Sequence, residues 1–277
     1  MDVFTTAAEL LDRLDALLPP ASWIACDADG TLWACDVAEL AWDELLRARA
    51  MKPAAGPPLA ALLRAAGVES TGDPHGDAEA LYRLFMEGRI GDFPMLEAMG
   101  VCFSGFTPAE ARELADGVAR RDVAGRIYDA TGPLLRGLQE RGHRVLVVSG
   151  SPRFVVEAGL ALLDLPAPVP IHGVTLAEEA GRLVGRLVPP ITWNSGKVEA
   201  IGPRLAGAPL AVAMGDSAGD KELLLHASTL RVLVHPRPAL RQAAQQDPGG
   251  PWVMLRPPHT VNGATVVPPR GDLVLGE

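Results

Sequence analysis

Acidic and small hydroxyl side chains stand directly after three short apolar runs of this sequence. The runs and the residues that follow them are 23–26 with Asp27 and Asp29, 145–148 with Ser149, and 210–214 with Asp216. Such runs, halted by acids, Ser and Gly, are typical of buried strands that end in loops. Because ligands bind beyond the carboxyl ends of the strands in an open parallel sheet, we expect these side chains to converge on one site.

Three of these residues are carboxylates, and their spacing predicts a cation between them. Asp27 and Asp29 are two residues apart, so both side chains point the same way in an extended backbone. Like charges at that separation are unfavourable unless a cation lies between them. A site made of Asp27, Asp29 and Asp216, with few neighbouring His or Cys, suits a hard, oxygen-preferring ion such as Mg²⁺. The six histidines of the chain form no set with metal-ligand spacing.

The residues after the second run predict a phosphate site. Ser149 and Gly150 precede a predicted helix with Pro152 in its first turn, so free backbone N–H groups and the Ser149 hydroxyl would accept a phosphate. Ser151 has the simpler role of capping that helix. Lys197 is one of only three lysines in the chain. Its compact ammonium could neutralise a phosphate or a nucleophile, the alternative being a solvated lysine at a helix start.

The elements that would position these residues alternate along the chain. Helical patterns are predicted over 131–141, 152–163 and 219–227, and a fourth apolar run follows at 232–234. Leucines at helical spacing predict a further helix over 5–18. Strands that alternate with helices predict a parallel sheet covered on both faces. The predicted fold class is therefore α/β, with a Rossmann-like parallel sheet core.

The first two runs are separated by about 115 residues, whereas a βαβ unit needs only about 30. Helix signals fill the gap, at 37–49, at 77–87 and from a capping Thr107 to about 120. We therefore predict an inserted α-helical cap domain over 33–124 and a discontinuous core made of 1–32 and 125–277. A β-hairpin is expected within 167–190, near the sheet edge. The tail from residue 247 is proline-rich, with one strand predicted at 252–256.

Composition restricts the class of protein. The chain has 277 residues, of which 48% are hydrophobic, and a formal net charge of -9, which disfavours sequence-independent binding to nucleic acid. Three cysteines cannot form a full disulfide framework and favour a reducing compartment. No run approaches the roughly 18 apolar residues of a membrane span, and the N-terminus does not read as a signal peptide. We expect a cytoplasmic protein that binds neither nucleic acid nor membrane; the oligomeric state stays open.

The ordered motifs resemble those of a known superfamily. Asp27-Ala28-Asp29-Gly30-Thr31, Ser149, Lys197 and Gly215-Asp216 with Asp220 are similar to the four motifs of the haloacid dehalogenase superfamily. An insertion directly after the first motif resembles the cap of that superfamily. Residues 148–152 and the 171–188 hairpin look most like the phosphoserine phosphatase-like branch.

The resemblance implies a role for each motif residue. Asp27 would attack phosphorus and form an aspartyl-phosphate, and Asp29 would protonate the leaving alcohol and then activate water. Ser149 and Lys197 would hold the phosphoryl oxygens. The implied Mg²⁺ ligands are Asp27, the backbone carbonyl of Asp29, and Asp216. Asp220 completes the implied metal site as the residue that orients the metal shell and Lys197. The implied substrate-binding residues are Gly30, Thr31, Asp36, Ser149, Gly150 and Lys197. An acid at position 29 favours phosphoryl transfer over dehalogenation, because a departing halide needs no proton.

Asp36 suggests a substrate. It lies nine residues after Asp27, where phosphoserine phosphatases have a carboxylate for the substrate ammonium. We therefore expect a small phosphomonoester with an amine or quaternary amine, such as phosphoserine, phosphoethanolamine or phosphocholine. Trp33 or Trp42 could contact a methylated amine. The alternative is that Asp36 caps a helix. Gly219 stands where phosphoserine phosphatases usually have an Asn that reaches the substrate.

Two other enzymatic functions remain open on the sequence alone. Residues 215–219 match the Gly-x-Ser-x-Gly elbow of serine hydrolases, with Ser217 as the nucleophile and Asp247 and His259 downstream in the expected order. The same aspartate site could also transfer phosphate to an acceptor other than water, as in a mutase. A module that binds phosphate without turnover is disfavoured, because it would need no general acid at Asp29.

Overall fold

The computed structural model describes residues 1–247, 250–255, 260–261 and 264–265. Most of the predicted proline-rich tail, including His259, lies outside these residues. The strands are β1 (Asp2–Phe4), β2 (Trp23–Cys26), β3 (Arg144–Pro152), β4 (Ile171–Val174), β5 (Leu176–Glu179), β6 (Arg182–Leu187), β7 (Leu210–Gly215), β8 (Leu230–Val234), β9 (Trp252–Leu255), β10 (Thr260–Val261) and β11 (Ala264–Thr265). The helices are α1 (Ala7–Leu17), α2 (Val37–Arg47), α3 (Gly56–Ala65), α4 (Pro74–Met86), α5 (Asp92–Val101), α6 (Pro108–Val118), α7 (Thr131–Glu140), α8 (Arg153–Leu160), α9 (Ser195–Leu205), α10 (Lys221–His226) and α11 (Pro238–Gln245).

Seven strands form one sheet in the order β1-β9-β8-β7-β2-β3-β4. Every neighbouring pair in it is parallel. The strand predicted at 252–256 is β9, which pairs with the unpredicted strand β1 at the sheet edge. Because β2 lies between β3 and β7, the last residues of β3 and the residues that follow β2 and β7 meet at the centre of one sheet edge.

The sheet is buried on both faces, and its strand sequences show why. Along β3, Val145 and Val147 pack into the cluster that contains α1 and α7, whereas Leu146 and Val148 pack into the cluster that contains α9, α10 and α11. Successive side chains of a strand point to opposite faces, so a strand covered on both sides must be apolar throughout. The predicted α/β class, with helices on both faces of a parallel sheet, is confirmed.

Helices α2–α6 form a helical cap between β2 and β3. They pack around buried side chains that include Trp42, Leu63, Leu81 and Phe103. This cluster is continuous with the core on one face of the sheet. The cap helices lie within the segment predicted as an insertion, 33–124; the domain bounds themselves stay a prediction.

The expected hairpin is β5–β6, which forms a small separate antiparallel sheet. It lies against the helical cap. The backbone N–H of Gly105 donates to the carbonyl of Leu183 at 2.7 Å, and the N–H of Leu183 donates to the carbonyl of Phe106 at 2.8 Å. The hairpin thus links the segment after β4 to the cap by main-chain hydrogen bonds.

One predicted boundary is wrong in a way that affects the site. The sequence predicts a helix from residue 152, but β3 continues through Pro152, which is paired with Val174 of β4, and α8 begins at Arg153. The N-cap position of α8 is Pro152, and Ser151 does not cap the helix. Pairing with β4 therefore extends the strand through the residues expected to form a loop.

The three cysteines, Cys26, Cys35 and Cys102, are buried free thiols. Burial, together with the neighbouring Asp27, raises the pKa of Cys26 to about 12. In the part of the chain that the structure describes, no helix combines the length and the apolar character needed to cross a membrane.

Candidate active site

Asp27 lies at the centre of the sheet edge, directly after β2. Its Oδ1 accepts a hydrogen bond from Nζ of Lys197 at 2.7 Å, and its Oδ2 accepts one from Oγ1 of Thr31 at 3.1 Å. Lys197, in the first turn of α9, also donates to Oδ1 of Asp220 at 2.5 Å. All three partners of this ion-pair network, Asp27, Lys197 and Asp220, are buried. Burial and the neighbouring Asp220 together raise the pKa of Asp27 to about 7, against the opposing effect of Lys197.

Asp29 is half-buried, and its carboxylate accepts hydrogen bonds from four donors. Oδ1 accepts from Nε1 of Trp33 at 2.7 Å and from the backbone N–H of Val37 at 2.9 Å. Oδ2 accepts from the hydroxyls of Ser151 at 2.6 Å and Ser149 at 3.3 Å. Burial raises the pKa of Asp29 to about 6, and Asp36 adds to the rise. A carboxyl held this firmly, with a pKa near neutrality, can both give and take a proton.

Asp27, Asp216 and Asp220 form a buried carboxylate cluster, in which one oxygen of each lies within 4.8 Å of the others. Burial raises the pKa of Asp216 well above its usual value, and Asp220 and Asp27 add to the rise. Lys197 and Arg237 offset part of the repulsion among the three carboxylates, and the pKa values of Asp27 and Asp216 stay raised. An all-oxygen donor set of this kind fits Mg²⁺. The side chain of Asp29 is outside this cluster.

Asp220 orients its neighbours through hydrogen bonds to both of its carboxylate oxygens. Its Oδ2 accepts hydrogen bonds from the backbone N–H of Asp216 at 3.1 Å, the N–H of Ser217 at 3.0 Å and the hydroxyl of Ser217 at 3.1 Å. Its Oδ1 accepts the bond from Lys197. With both oxygens engaged, Asp220 fixes the loop after β7 and the ammonium of Lys197.

Gly30 allows the first motif to approach Asp216. Its φ of +77° lies in the left-handed region, and a methyl group at this position would meet Oδ2 and Cγ of Asp216. The turn also places Thr31 against Asp27. Only a residue without a side chain fits here against the carboxylate of Asp216.

The loop before α9 is tied to the end of β3. Thr192, which is buried, donates its hydroxyl to the carbonyl of Ser149 at 2.6 Å. Five residues later the same segment supplies Lys197. The backbone N–H of Ser151 donates to Oγ of Ser149 at 3.0 Å, so the Ser149 hydroxyl is held between Ser151 and Asp29.

Asp36 is the N-cap residue of α2. Its Oδ1 accepts hydrogen bonds from the backbone N–H groups of Ala38 at 2.9 Å and Glu39 at 3.0 Å. Burial and the neighbouring Glu39 together raise the pKa of Asp36 to about 6, against the opposing effects of Arg237 and of the two backbone hydrogen bonds. The capping role considered from the sequence is thus present, next to Asp29. Trp33 and Trp42, expected as possible substrate contacts, are 0% and 1% exposed, so that expectation is wrong.

The serine-elbow alternative does not assemble a triad. Ser217 donates its hydroxyl to Asp220, whereas Asp247 pairs with Arg231 at 2.6 Å, at the amino end of β8. Asp247 therefore lies at the opposite sheet edge from Ser217. The third member, His259, is outside the described residues.

Three contacts at the site were not predicted from the sequence: those of Trp33 and Ser151 with Asp29, and that of Arg237 with Asp216. Nε of Arg237 donates to Oδ2 of Asp216 at 2.9 Å, and its backbone N–H donates to the Asp216 carbonyl at 2.8 Å. The available signal was the position of Arg237 shortly after the fourth apolar run, whose carboxyl end meets the same sheet edge. Nothing local in the sequence marks Trp33 or Ser151 as partners of Asp29.

Comparison with known protein families gives a match to this chain. The family model described as haloacid dehalogenase-like hydrolase matches residues 24–225. No curated protein matches the chain in sequence.

Solved structures with the same fold are distant in sequence. A protein of unknown function from Bordetella pertussis Tohama I is 20% identical, with a TM-score of 0.67 over 86% of this chain and 99% of that one. A functionally unknown protein from Anaerococcus prevotii DSM 20548 is 16% identical, with a TM-score of 0.63 over 91% of this chain and 92% of that one. A substrate-bound phosphoserine phosphatase is 16% identical, with a TM-score of 0.53 over 86% of this chain and 94% of that one. At these identities the likeness concerns the fold, and at that level the predicted resemblance to the phosphoserine phosphatase-like branch is confirmed.

Proposed function

Because the chain belongs to the haloacid dehalogenase-like hydrolase family, we propose that it is a Mg²⁺-dependent phosphatase that hydrolyses a small phosphomonoester through an aspartyl-phosphate. One observation carries the proposal: a buried carboxylate, Asp27, is paired with Lys197, while a second carboxylate, Asp29, is turned toward the Ser149 hydroxyl. The first group suits a nucleophile and the second suits an acid–base group. A dehalogenase would not need the second.

Asp27 is the proposed nucleophile. Its carboxylate attacks phosphorus, the P–O bond to the leaving alcohol breaks, and Asp29 gives the alcohol its proton. In the second half-reaction, Asp29 takes a proton from water, the water oxygen attacks the aspartyl-phosphate, and the Asp27 carboxylate is released with inorganic phosphate. Lys197 and the Ser149 hydroxyl would hold the phosphoryl oxygens, with Gly150, Gly30 and Thr31 lining the same pocket.

Asp27 and Asp216 would hold Mg²⁺, together with the backbone carbonyl of Asp29 that the family resemblance implies. When bound, the ion neutralises charge on the phosphoryl oxygens. Asp220 orients Lys197 and the loop that carries Asp216. The oxygen-only cluster and the raised pKa of Asp216 support this assignment.

We propose an amine-bearing leaving group. Asp36 and Glu39 begin α2 next to Asp29, and the pKa of both is raised by burial. Poorly solvated carboxylates attract a leaving group that carries a positive charge, and they repel a leaving group that carries a further carboxylate. This environment supports phosphoethanolamine and phosphocholine over phosphoserine.

The proposal is tested by phosphate release from p-nitrophenyl phosphate with Mg²⁺ and with EDTA. We expect activity only with Mg²⁺ and its loss in Asp27→Asn, whereas Asp43→Asn, an identical change at an exposed residue of α2, remains active. In Asp29→Asn, p-nitrophenolate is a good enough leaving group to depart without a proton. The water that would cleave the aspartyl-phosphate, however, is no longer activated. Acid-quenched samples of that variant should therefore carry one phosphoryl group on the peptide that contains Asp27. Activity with EDTA, or an active Asp27→Asn, would refute the proposal.

A further inference from the structure

Trp193 lies on the segment that joins two parts of the site. Thr192, one residue before it, donates to the carbonyl of Ser149, and Lys197, four residues after it, pairs with Asp27. The carbonyl of Trp193 accepts a hydrogen bond from the N–H of Gly196 at 2.9 Å. The backbone on both sides of the indole is therefore fixed to the site.

The indole ring covers the ends of two strands. A methyl group at Gly219, in the loop after β7, would lie 2.6 Å from Cζ3 and 2.8 Å from Cη2 of Trp193. A methyl group at Gly150, in the last residues of β3, would lie 3.6 Å from Cε3 of the same ring and 3.2 Å from Cδ1 of Leu96 in the helical cap. Since β2 lies between β3 and β7, a ring that lies against both the end of β3 and the loop after β7 borders the region beyond β2, where Asp27 and Asp29 lie.

The ring also explains the glycine at position 219. A side chain there would overlap the indole, so the space that an Asn would occupy is taken by Trp193. An aromatic surface thus occupies the position at which the family resemblance implies a short polar group. Trp33 and Trp42 are fully buried, but Trp193 is half-buried, so part of this residue is accessible to a ligand.

Carboxylates outnumber cations in the site next to this surface: Lys197 and Arg237 pair with Asp27, Asp216 and Asp220, and Asp29 and Asp36 add further negative charge. Gly150 is flanked by Ser149 and Ser151, both of which donate to Asp29, and Asp36 lies close enough to Asp29 to raise its pKa. An aromatic ring beside carboxylates is the arrangement that binds quaternary ammonium groups, because the ring attracts the cation and the methyl groups pack on its surface.

We propose that Trp193 determines specificity for the leaving group, and that this group carries a methylated, quaternary ammonium rather than a primary amine. This inference rests on the proposed function and narrows its substrate class. A choline-type phosphomonoester would place its phosphate at Asp27 and its trimethylammonium group against the indole.

Binding measured without turnover tests the inference. Isothermal titration with Mg²⁺ present would compare phosphocholine with phosphoethanolamine on the Asp27→Asn protein, since the two ligands differ only in three methyl groups. We expect phosphocholine to bind at least about tenfold more tightly, and Trp193→Ala in the same background to reduce that ratio to about twofold or less. Trp193→Phe keeps a ring and should keep most of the ratio. Trp23→Phe, at the amino end of β2, is the matched control and should leave it unchanged.

A neutral isostere separates charge from shape. 3,3-Dimethylbutyl phosphate has the outline of phosphocholine without the positive charge, and we expect it to bind at least about fivefold more weakly than phosphocholine. Equal affinity of these two ligands, a preference for phosphoethanolamine, or an unchanged ratio in Trp193→Ala would each overturn the inference. The inference would also be overturned if none of the three ligands binds while the wild type hydrolyses p-nitrophenyl phosphate. In that case the phosphatase assignment stands. Conversely, a Trp193-dependent preference for phosphocholine in a protein that releases no phosphate would support the inference and refute the proposed function.

Discussion

The indole N–H of Trp33 donates a 2.7 Å hydrogen bond to Oδ1 of Asp29, four residues earlier in the chain. The turn between them is closed by a main-chain hydrogen bond from Gly30 to Trp33 at 3.0 Å. Trp33 itself is fully buried and packs against Gly159 of α8. A rigid side chain of the core thus sets the direction of the carboxylate that we propose as the acid–base group.

Replacing Trp33 with Phe should therefore reduce kcat more than it raises KM. Phe retains most of the ring but removes the donor, so Asp29 loses one of the contacts that orient it, and we expect kcat to fall roughly tenfold. Steady-state kinetics on one substrate would measure both constants. The matched control is Trp42→Phe, because the Nε1 of that buried indole has no partner among the described residues. Equal kinetics for the two variants would contradict a positioning role for Trp33.

A methyl group at Gly30 should damage both stability and metal binding. Gly30→Ala places a side chain at φ +77° and against the carboxylate of Asp216, and we expect a loss of about 1–3 kcal/mol in the free energy of unfolding. Mg²⁺ should also raise the Tm of the variant less than that of the wild type. Gly117→Ala in α6, where a methyl group meets nothing within 4 Å, should be neutral or stabilising. A Gly30→Ala protein with wild-type stability and Mg²⁺ response would show that the close approach is unimportant.

Ser217→Ala distinguishes the aspartate site from a serine elbow. The Ser217 hydroxyl donates to Asp220, and its removal costs one hydrogen bond of about 1 kcal/mol. We expect phosphatase activity to remain within about threefold of the wild type. Loss of hydrolysis in this variant, together with an active Asp27→Asn, would instead identify Ser217 as the nucleophile.

Asp36→Asn tests the proposed amine recognition. Asn is as good an N-cap residue as Asp, so α2 should remain capped while one negative charge is removed. We expect KM for phosphoethanolamine to rise about tenfold and KM for p-nitrophenyl phosphate to change about twofold or less. Equal increases for both substrates would indicate that Asp36 acts only as a helix cap.

His172 in β4 should make stability depend on pH. Burial lowers its pKa, and Arg204 and Arg153 add to the shift. Because the unfolded chain then binds more protons than the native state, this residue destabilises the native state as the pH falls below the unfolded value of about 6.5. The Tm of His172→Gln should therefore fall less than that of the wild type when the pH is lowered from about 8 to about 5.5, a range that brackets the unfolded-state pKa of about 6.5. Parallel Tm curves for the two proteins would exclude a contribution from His172.

The sequence was sufficient for the main parts of the fold. Apolar runs at β2, β3 and β7 are continuous because these strands are buried on both faces, and such runs can be recognised without tertiary information. The capping box that begins α6 at Thr107 is equally local. The end of β3 was predicted wrongly, because pairing of Pro152 with β4 overrides a local pattern that favours a helix.

The sequence by itself also determined which carboxylates meet. Asp27, Asp29, Ser149 and Asp216 could be assigned to one sheet edge, since parallel strands bring their carboxyl ends together whatever the intervening chain does. Lys197, which follows no strand, was assigned to the site by its charge and by the family resemblance. Only the tertiary structure decided how these groups are oriented and what surrounds them. Ser151 reaches Asp29 across 122 residues, and Trp193 covers Gly219 of a different strand end. Such contacts depend on side-chain packing between distant segments, which neither composition nor spacing encodes.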